Sequence, residues 1–317
     1  MTQRPRIPLP EAMGLLPIAH RARQALIALR GEEDVPKSRM GLSSLGLLRP
    51  RLAWPMWRGR APIPRRVVLT NLFNHTQTPV EAGWSVKRTQ VEDFRGRGLT
   101  YDSHNGTDLC IPVGTRVLTA APGVVVRVLS EFNRGGLKVF IDHGDGLMTC
   151  YAHLARALVV EGDVLERGAR IALSGYSGLD GFSTFPFGVP HVHFNTWLNG
   201  EPVDPFAREG EHSLWHAGRL PAPVPLDAGG GATPSEYDEH AVDACIDGCK
   251  TKHVRERLRA LAPLSRRAAY SIIARNYYPT RFPLRPNPYA ELHPRAGRLD
   301  LPFSARDFDG VVFIDED

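Results

Sequence analysis

The central part of the chain, from about residue 66 to residue 206, alternates short apolar runs with short turn sequences. The runs are RVVLTNL, TRVLTA, GVVVRVLS, LKVFIDH, LMTCYAH, ARIALSG and HVHFNTW, and the turns include APG, RGG, HGDG and ERG. Many short β-branched runs with frequent Gly and Pro are typical of an antiparallel sandwich or barrel. In LKVFIDHGDGLMTCYAH, two runs flank a Gly-rich turn, which predicts a β-hairpin.

The regions on either side have a different pattern. Apolar residues recur at helical spacing from about Ala12 to Leu29, which predicts an amphipathic helix in an Arg- and Pro-rich stretch. Residues 221–236, PAPVPLDAGGGATPSE, have the composition of a flexible linker, and residues 238 to about 277 look helical, with Pro263 dividing two helices. We predict four parts: an N-terminal extension (1–62), a β-rich domain (63–207), a linker (208–236) and a helical C-terminal extension (237–317).

Imidazole groups occur at three places in the predicted strands. In HVHF, His191 and His193 share one face of a strand, while the apolar residues beside them face the core. CYAHL has His153 at the tip of another strand. HNGTD contributes His104 and Asp108, which share a face if the segment is extended, because four is an even spacing.

The HNGTD stretch has a simpler interpretation as a solvated turn, because Asn, Gly and Asp are common in turns. As a site, it has Gly106 between its two polar residues, where the missing side chain leaves space for a metal or substrate. A catalytic zinc usually takes three protein ligands, often imidazole and carboxylate, and keeps a position for water. Four histidines and one aspartate exceed that need by two groups, which suits general acid–base catalysis.

The order of these motifs and of the segments between them resembles the LytM/lysostaphin-like zinc metallopeptidase family over roughly Asp102 to Pro205. The family patterns His-x-Gly-x-Asp, Tyr-x-His-Leu and His-x-His match HNGTD, YAHL and HVHF. The resemblance implies that His104, Asp108 and His193 bind Zn²⁺, and that His153 and His191 are the catalytic pair. Gly106 is then interpreted as clearance beside the metal.

The resemblance also implies a fold and a substrate. The expected fold class is mainly β, with a compact antiparallel β-sandwich catalytic core and helical N- and C-terminal extensions. The expected activity is that of a zinc metalloendopeptidase, and the expected partner is peptidoglycan or its peptide stems. Two alternatives stay open: a non-catalytic wall-binding or regulatory module, and a peptidase acting on proteins or free peptides.

Two departures from the family concern substrate choice. The loop from Tyr176 to Pro190 is longer and more aromatic than the family's short Gly-Ser-Thr-Gly-like loop, and we expect it to form a wall of the groove. Asn195 follows HVHF where the family often has an acidic residue. The sequence therefore predicts the chemistry of the site but not which peptide bond is cleaved.

The overall charge adds a bias. The chain of 317 residues carries a net charge of +5, which favours anionic surroundings such as nucleic acid, anionic lipid or an acidic wall polymer. Arginine is spread along the chain, and we predict no nucleic-acid partner. No stretch approaches 18 apolar residues, so we predict no transmembrane segment. The family suggests the cell envelope or an extracellular location, whereas the first 31 residues lack a recognisable secretory signal.

The four cysteines raise a second question. Cys245, Cys249 and His253 follow each other at intervals of four, as on one helical face, which leaves a second zinc site open. The spacing is not a usual structural-zinc pattern, so a disulfide between Cys245 and Cys249, or two ordinary thiols, is favoured. We interpret Cys110 and Cys150 as packing residues within strands.

Overall fold

The computed structural model describes residues 4–76, 79, 84–87, 91–227 and 229–316. Its strands are Ser38–Arg39 (β1), Arg66–Leu69 (β2), Trp84–Ser85 (β3), Thr107–Cys110 (β4), Arg116–Leu118 (β5), Gly123–Glu131 (β6), Gly136–Asp142 (β7), Leu147–Ala157 (β8), Val164–Leu165 (β9), Arg170–Ser174 (β10), His191–Leu198 (β11), Glu201–Val203 (β12), Pro223–Val224 (β13), Leu301–Ser304 (β14) and Gly310–Phe313 (β15). Its α-helices are Leu9–Ala12 (α1), Ile18–Arg30 (α2), Pro50–Trp57 (α3), Leu179–Thr184 (α4), Glu239–Asp247 (α5), Lys252–Arg259 (α6) and Leu264–Tyr277 (α7), and 3₁₀ helices span Leu42–Leu47 and Pro279–Arg281.

The fold is mainly β, as predicted, and one large sheet forms its centre. The strands follow the order β15-β2-β4-β11-β8-β7-β6-β9, with β5, β10 and β12 attached beside this path. Along the path the neighbours are antiparallel, except that β15 pairs with β2 in parallel. Each of the seven predicted apolar runs contains a strand, and β7 and β8 form the predicted hairpin.

The core lies against one face of β11. Val192 and Phe194 are fully buried and pack in the same apolar cluster as Leu109 and Tyr151. Burying a side chain of this size contributes about 1.5–3 kcal/mol, so the alternation fixes which face of the strand is inside. The histidines at the odd positions are thereby directed away from this cluster, as the period of two predicts.

The N-terminal helix is shorter than the predicted span from Ala12 to Leu29. Helix α2 begins at Ile18, and Pro17 is its N-cap residue. Gly14 has a φ of +64°, and a Cβ there would lie 2.9 Å from Cβ of Ser177. This close approach to the β-rich part bends the chain, so the helical spacing of the preceding residues does not extend the helix.

The C-terminal part contains three helices, but it is not only helical. Pro263 separates α6 from α7 as predicted, whereas β14 and β15 follow the helices. Strand β15 pairs with β2 and so extends the large sheet. The apolar run GVVF is a strand because its backbone pairs with the otherwise open edge of β2.

The predicted linker is held against the rest of the fold at both ends, by the C-terminal part at one end and by the β-rich part at the other. Strand β13 pairs in parallel with β14, and the Ser235 hydroxyl donates to Oδ1 of Asp142 at 2.8 Å. Residue 228, within the same stretch, lies outside the described residues. The division into four parts stays a prediction. Within the part of the chain that the structure describes, we find no helix with the length and apolar character needed to cross a bilayer.

Candidate active site

Strand β11 brings the polar side chains of three segments together, because it lies between β4 and β8 in the sheet. Its His193 is paired with Asp108 of β4 on one side and with Ala152 of β8 on the other. Residues directly opposite each other in antiparallel strands are about 4.5–5.5 Å apart. The sheet register therefore puts the Asp108 carboxylate beside His193 and brings His153, the next residue of β8, to the same region.

His104 reaches the site by a different route from the predicted one. Strand β4 begins only at Thr107, so residues 104–106 are not an extended strand, and the even-spacing argument does not apply to His104. The ring is oriented instead by the carbonyl oxygen of Leu72, which lies 2.6 Å from Nδ1. His104 Nε2 is then 3.1 Å from Oδ1 of Asp108, so the two predicted residues are adjacent after all.

Gly106 makes room for a histidine ring rather than for a metal or substrate. A Cβ at this position would lie 2.8 Å from Nε2 of His193 and 2.9 Å from its Cε1. The space that the sequence predicts beside the metal is thus filled by the His193 imidazole. Any larger residue would displace this ring from Asp108.

Three candidate ligand atoms converge at this point. His193 Nδ1 is 2.9 Å from Oδ1 of Asp108 and 3.2 Å from Nε2 of His104, and all three groups offer atoms within 4.8 Å of one another. Among the described residues this is the one such group of three. The second carboxylate oxygen, Oδ2, accepts a hydrogen bond from Nδ2 of Asn71 at 2.8 Å, which orients the carboxylate.

The donor set fits a cation. Because Nδ1 of His104 faces a carbonyl oxygen, it carries the ring proton in the neutral tautomer, and Nε2 presents a lone pair. That lone pair points at Oδ1 of Asp108, which is also an acceptor. A bound cation would compensate this repulsion, and two imidazoles with one carboxylate are a common ligand set for catalytic zinc.

The protonation states agree with this chemistry. Burial opposes ionisation of Asp108, but the neighbouring imidazoles of His191, His104 and His193 favour the charged carboxylate and outweigh burial. They hold the pKa of the Asp108 carboxyl well below its ordinary value. Burial lowers the pKa of His193, against the opposing effect of Asp108. A charged carboxylate beside a neutral imidazole is the state in which both bind a metal.

His153 and His191 form a second pair beside this group. Their ring centroids are 4.8 Å apart, and Nε2 of His191 lies 3.4 Å from Oδ1 of Asp108. In each ring Nδ1 faces a carbonyl oxygen at 2.8 Å, that of Ser177 for His153 and that of Val189 for His191. Nδ1 therefore carries the proton in the neutral form, and Nε2 remains available to accept or deliver another.

His153 does not lie at the tip of its strand. Strand β8 continues to Ala157, and the register against β7 shifts at His153, whose φ is +60°. Its N–H donates to the carbonyl oxygen of Gly135 at 2.8 Å. A bulge of this kind redirects a side chain at the cost of local strain, here toward His191. Burial, and then the charges of His191 and His193, hold the pKa of His153 well below its ordinary value.

A groove runs over these groups. On one side its lining includes Tyr176 and Asp180 from the aromatic loop, together with Met40 and Leu47 from the N-terminal extension. Trp57 packs against Tyr176 and Phe185, with ring centroids 6.0 and 5.1 Å apart, and so supports the loop. The loop thus borders the groove as expected.

On the other side the groove passes His153 and His193 and reaches Arg134 and Trp84. Arg134 and the N-terminal residues gave no signal in the sequence, because only the tertiary fold brings them to the site.

The cysteines form no second site in the described part of the chain. All four are free thiols, so the predicted alternative of a Cys245–Cys249 disulfide is wrong and two ordinary thiols are present. Helix α5 ends at Asp247, so Cys249 and His253 do not continue the helical face of Cys245. Cys110 is a packing residue, as predicted, buried with its Sγ 3.0 Å from Oγ1 of Thr70.

Comparison with known proteins identifies the region that carries this geometry. Residues 102–205 match the family model described as Peptidase family M23. This part of the chain is an M23 peptidase domain. The finding confirms the predicted resemblance to the LytM/lysostaphin-like peptidases, over the predicted range.

The M23 domain is also the region shared with named relatives. The chain is 41% identical over 129 residues to the peptidoglycan DD-endopeptidase ShyA of Vibrio cholerae serotype O1, a match that covers 40% of this chain and 28% of ShyA. It is 37% identical over 108 residues to the DD-carboxypeptidase/endopeptidase Mpg of Neisseria meningitidis serogroup B, covering 33% of this chain and 23% of Mpg. The chain thus spans about a quarter of the length of these curated relatives.

Solved structures of similar chains include the catalytic domain of lysostaphin from Staphylococcus simulans. It is 28% identical and the match covers 32% of this chain and 76% of that chain, with a TM-score of 0.28.

Proposed function

We propose that this chain is a zinc metalloendopeptidase that hydrolyses peptide bonds in peptidoglycan. The observation that carries the proposal is the convergence of His104, Asp108 and His193, with the His153–His191 pair beside them in one groove. The M23 domain and the names of relatives that act on peptidoglycan support the substrate class. A non-catalytic binding module would not need five polar groups in this arrangement.

In this proposal, His104 Nε2, one Asp108 oxygen and His193 Nδ1 would hold the zinc ion. When bound there, zinc supplies Lewis-acid chemistry, since it polarises a carbonyl group and lowers the pKa of a water molecule to about 7. The protein orients the ligands through the Leu72 carbonyl oxygen at His104 and the Asn71 amide at Asp108. Such outer contacts keep the ligand atoms directed at one point.

His153 and His191 move protons. Each holds one proton on Nδ1 through a carbonyl oxygen, so each can use Nε2 toward the substrate. The lowered pKa of His153 keeps it neutral near pH 7, in the form that accepts a proton from an attacking water. The pair also delivers a proton to the leaving amine, because the nitrogen of a cleaved amide must be protonated before it departs.

We also propose that the catalytic core is the compact antiparallel β-sandwich of the family, within residues 63–207. The strands that lie between β2 and β9 in the sheet pair in antiparallel fashion, which supports this proposal, as does the apolar cluster on the inner face of β11. The N-terminal extension, the linker and the C-terminal extension would be additions to this core.

The test is digestion of purified peptidoglycan by the full chain, with mass spectrometry of the products and metal analysis of the protein. We expect new peptide termini at a single type of bond, about one zinc per chain, and loss of products after chelator treatment. Readdition of zinc should restore them. Wall binding without new termini would favour the non-catalytic alternative, and cleavage of unrelated peptides but not of the wall would favour a general peptidase.

A further inference from the structure

Arg134 is a charged side chain in the groove that no described residue neutralises. Its Nε is buried without a hydrogen-bond partner, and neither an ion pair nor a side-chain hydrogen bond joins its guanidinium to another described residue. The guanidinium lies flat over the ring of Trp84, 4.4 Å from the centroid. The side chain as a whole is half-buried, so its guanidinium has lost part of its hydration without gaining an anionic partner, and such a loss is costly unless an anion compensates for it.

The acidic groups near Arg134 are engaged elsewhere or too far away to bind it. Glu131 accepts hydrogen bonds from Lys138 at 2.8 Å and from Tyr278 at 3.0 Å. Asp180 acts on Arg134 only at longer range, without a hydrogen bond. Burial lowers the pKa of Arg134 to about 10, so the guanidinium still carries its charge at pH 7.

The position of Arg134 connects it to the proposed chemistry. It lines the same part of the groove as His104, His153 and His193. The next residue, Gly135, accepts the backbone hydrogen bond from His153 at its strand bulge, at 2.8 Å. A ligand held by Arg134 is therefore placed next to the catalytic pair by the same turn that orients His153.

We propose that Arg134 is a specificity residue that binds a free carboxylate of the substrate peptide, close to the scissile bond. The proposal rests on the proposed function. A planar guanidinium presents its donors in a fork that matches a carboxylate, and the Trp84 ring fixes the plane of that fork. Cross-linked stem peptides have free carboxylates beside their cross-links, and these supply the anion that the folded chain lacks.

The test uses cross-linked stem peptides in two forms, which differ only in whether the carboxylate on the amine side of the cross-link is free or amidated. Hydrolysis of both forms is measured for the wild type, Arg134→Met, Arg134→Lys and a control, Arg127→Met. Arg127 is a suitable control because it also stacks on an aromatic ring, 4.2 Å from the centroid of Tyr270, and does not line this groove.

We expect the wild type to prefer the free acid by about tenfold to a hundredfold in kcat/KM, the effect of one charged hydrogen-bonded pair. Arg134→Met should lose this factor on the acid form and stay within about threefold of the wild type on the amide. Arg134→Lys should keep part of the preference, and Arg127→Met all of it. Equal losses of Arg134→Met on both forms, or a wild type without preference, would overturn the proposal.

Binding separates this proposal from the proposed function. Calorimetry of both peptide forms with a His191→Ala chain measures affinity without turnover. If the wild type hydrolyses neither form but the acid binds at least about tenfold more tightly through Arg134, the proposed function fails and the carboxylate site stands. If the wild type hydrolyses both forms and they bind equally, the carboxylate site fails and the function stands. Absence of binding of either form also overturns the site.

Discussion

Two regions of the molecule carry potential metal ligands at regular spacing, and only one brings them together. On β4 and β11, Asp108 and His193 are cross-strand neighbours, so the sheet register itself joins them. In the C-terminal part, Cys245 and Cys249 depend on one helix continuing past both, and α5 ends at Asp247. Regular spacing in a sequence therefore predicts a metal site only where one helix, or one pair of adjacent strands, includes all the candidate ligands.

Burial favours the neutral form of the candidate ligands in both regions, but the consequence for metal binding differs. Burial lowers the pKa of His193 and raises the pKa values of the Cys245 and Cys249 thiols. Both effects favour the neutral form. Neutral imidazole is the form that binds metal, whereas a thiol must first lose its proton. Cys245 and Cys249 pack instead in an apolar cluster with Val242 and Ile246.

The largest effect is expected when one of the candidate metal ligands in the sheet region is removed. His104→Ala, Asp108→Ala or His193→Ala should remove the bound zinc and lower wall hydrolysis by more than about 100-fold. The reason is that loss of a ligand costs more than the 10- to 100-fold typical of groups behind the ligands. Metal content by mass spectrometry and hydrolysis of labelled peptidoglycan measure both effects.

The matched controls lie in the second region. Cys245→Ser and His253→Ala should keep one zinc per chain and wild-type activity, because these residues form no convergent group. A His193→Ala chain that still held one zinc tightly and digested the wall would contradict the ligand assignment. Loss of zinc in His253→Ala would contradict the conclusion that the C-terminal residues do not bind the metal.

The next effect concerns the second pair of histidines. His153→Ala and His191→Ala should each lower kcat by about 10²- to 10⁴-fold, the usual contribution of a general acid or base, and should retain zinc. His240→Ala, an exposed histidine on α5, is the control and should behave as the wild type.

The pH profile tests the role of His153. Its pKa lies below the ordinary 6.5 of histidine, chiefly because of burial. A base acts in its neutral form, which persists above the pKa, so kcat/KM should hold as pH falls through 6.5 and decline only at lower pH. An acid limb centred at or above about 6.5 would argue against His153 as the base.

A smaller effect would sharpen the account of how the metal ligands are oriented. The Asn195 amide lies 3.1 Å from Nε2 of His193, where an acidic residue was expected from the family. The amide nitrogen Nδ2 faces that ring nitrogen and also donates to the carbonyl oxygen of Asn105 at 2.8 Å, so this side chain restrains the His193 ring. Asn195→Ala should therefore weaken zinc binding by about 10-fold, as measured by competition with a chromophoric chelator.

Thr196→Val on the same strand is the control for that change. It removes the hydrogen bond from Thr196 to the Val203 carbonyl oxygen, away from the site, and should leave zinc affinity unchanged. Equal zinc affinity in the wild type and Asn195→Ala would mean that the amide does not orient His193.

The sequence predicted most of what depends on local pattern. The β-rich centre, the β7–β8 hairpin and the inward side of β11 follow from alternation, since Val192 and Phe194 are fully buried. It did not predict how His104 reaches Asp108, because a bend and the Leu72 carbonyl oxygen, not strand parity, orient that ring. The bulge at His153 was also missed, since φ at one residue depends on the register of the neighbouring strand.

Residues that act across the groove were beyond prediction for another reason. Arg134 meets the site only through tertiary packing, whereas Asp180 lies in the loop that was expected to border the groove. The single arginine in NRGG has no periodicity or motif to distinguish it from the others spread along the chain. Arg134 has no anionic partner among the described residues, and only the folded structure shows this.

The parallel pairing of β15 with β2 bears on how the molecule could be shortened. Val67, Val68 and Leu69 are fully buried, and β2 has β4 on one side and β15 on the other. A fragment limited to residues 63–207 would leave the backbone donors and acceptors of β2 open to water along an apolar edge. Such edges invite pairing with other chains, so this fragment should aggregate more readily than the full chain. The stretch that carries the site motifs is therefore shorter than the stretch needed to cover both edges of β2.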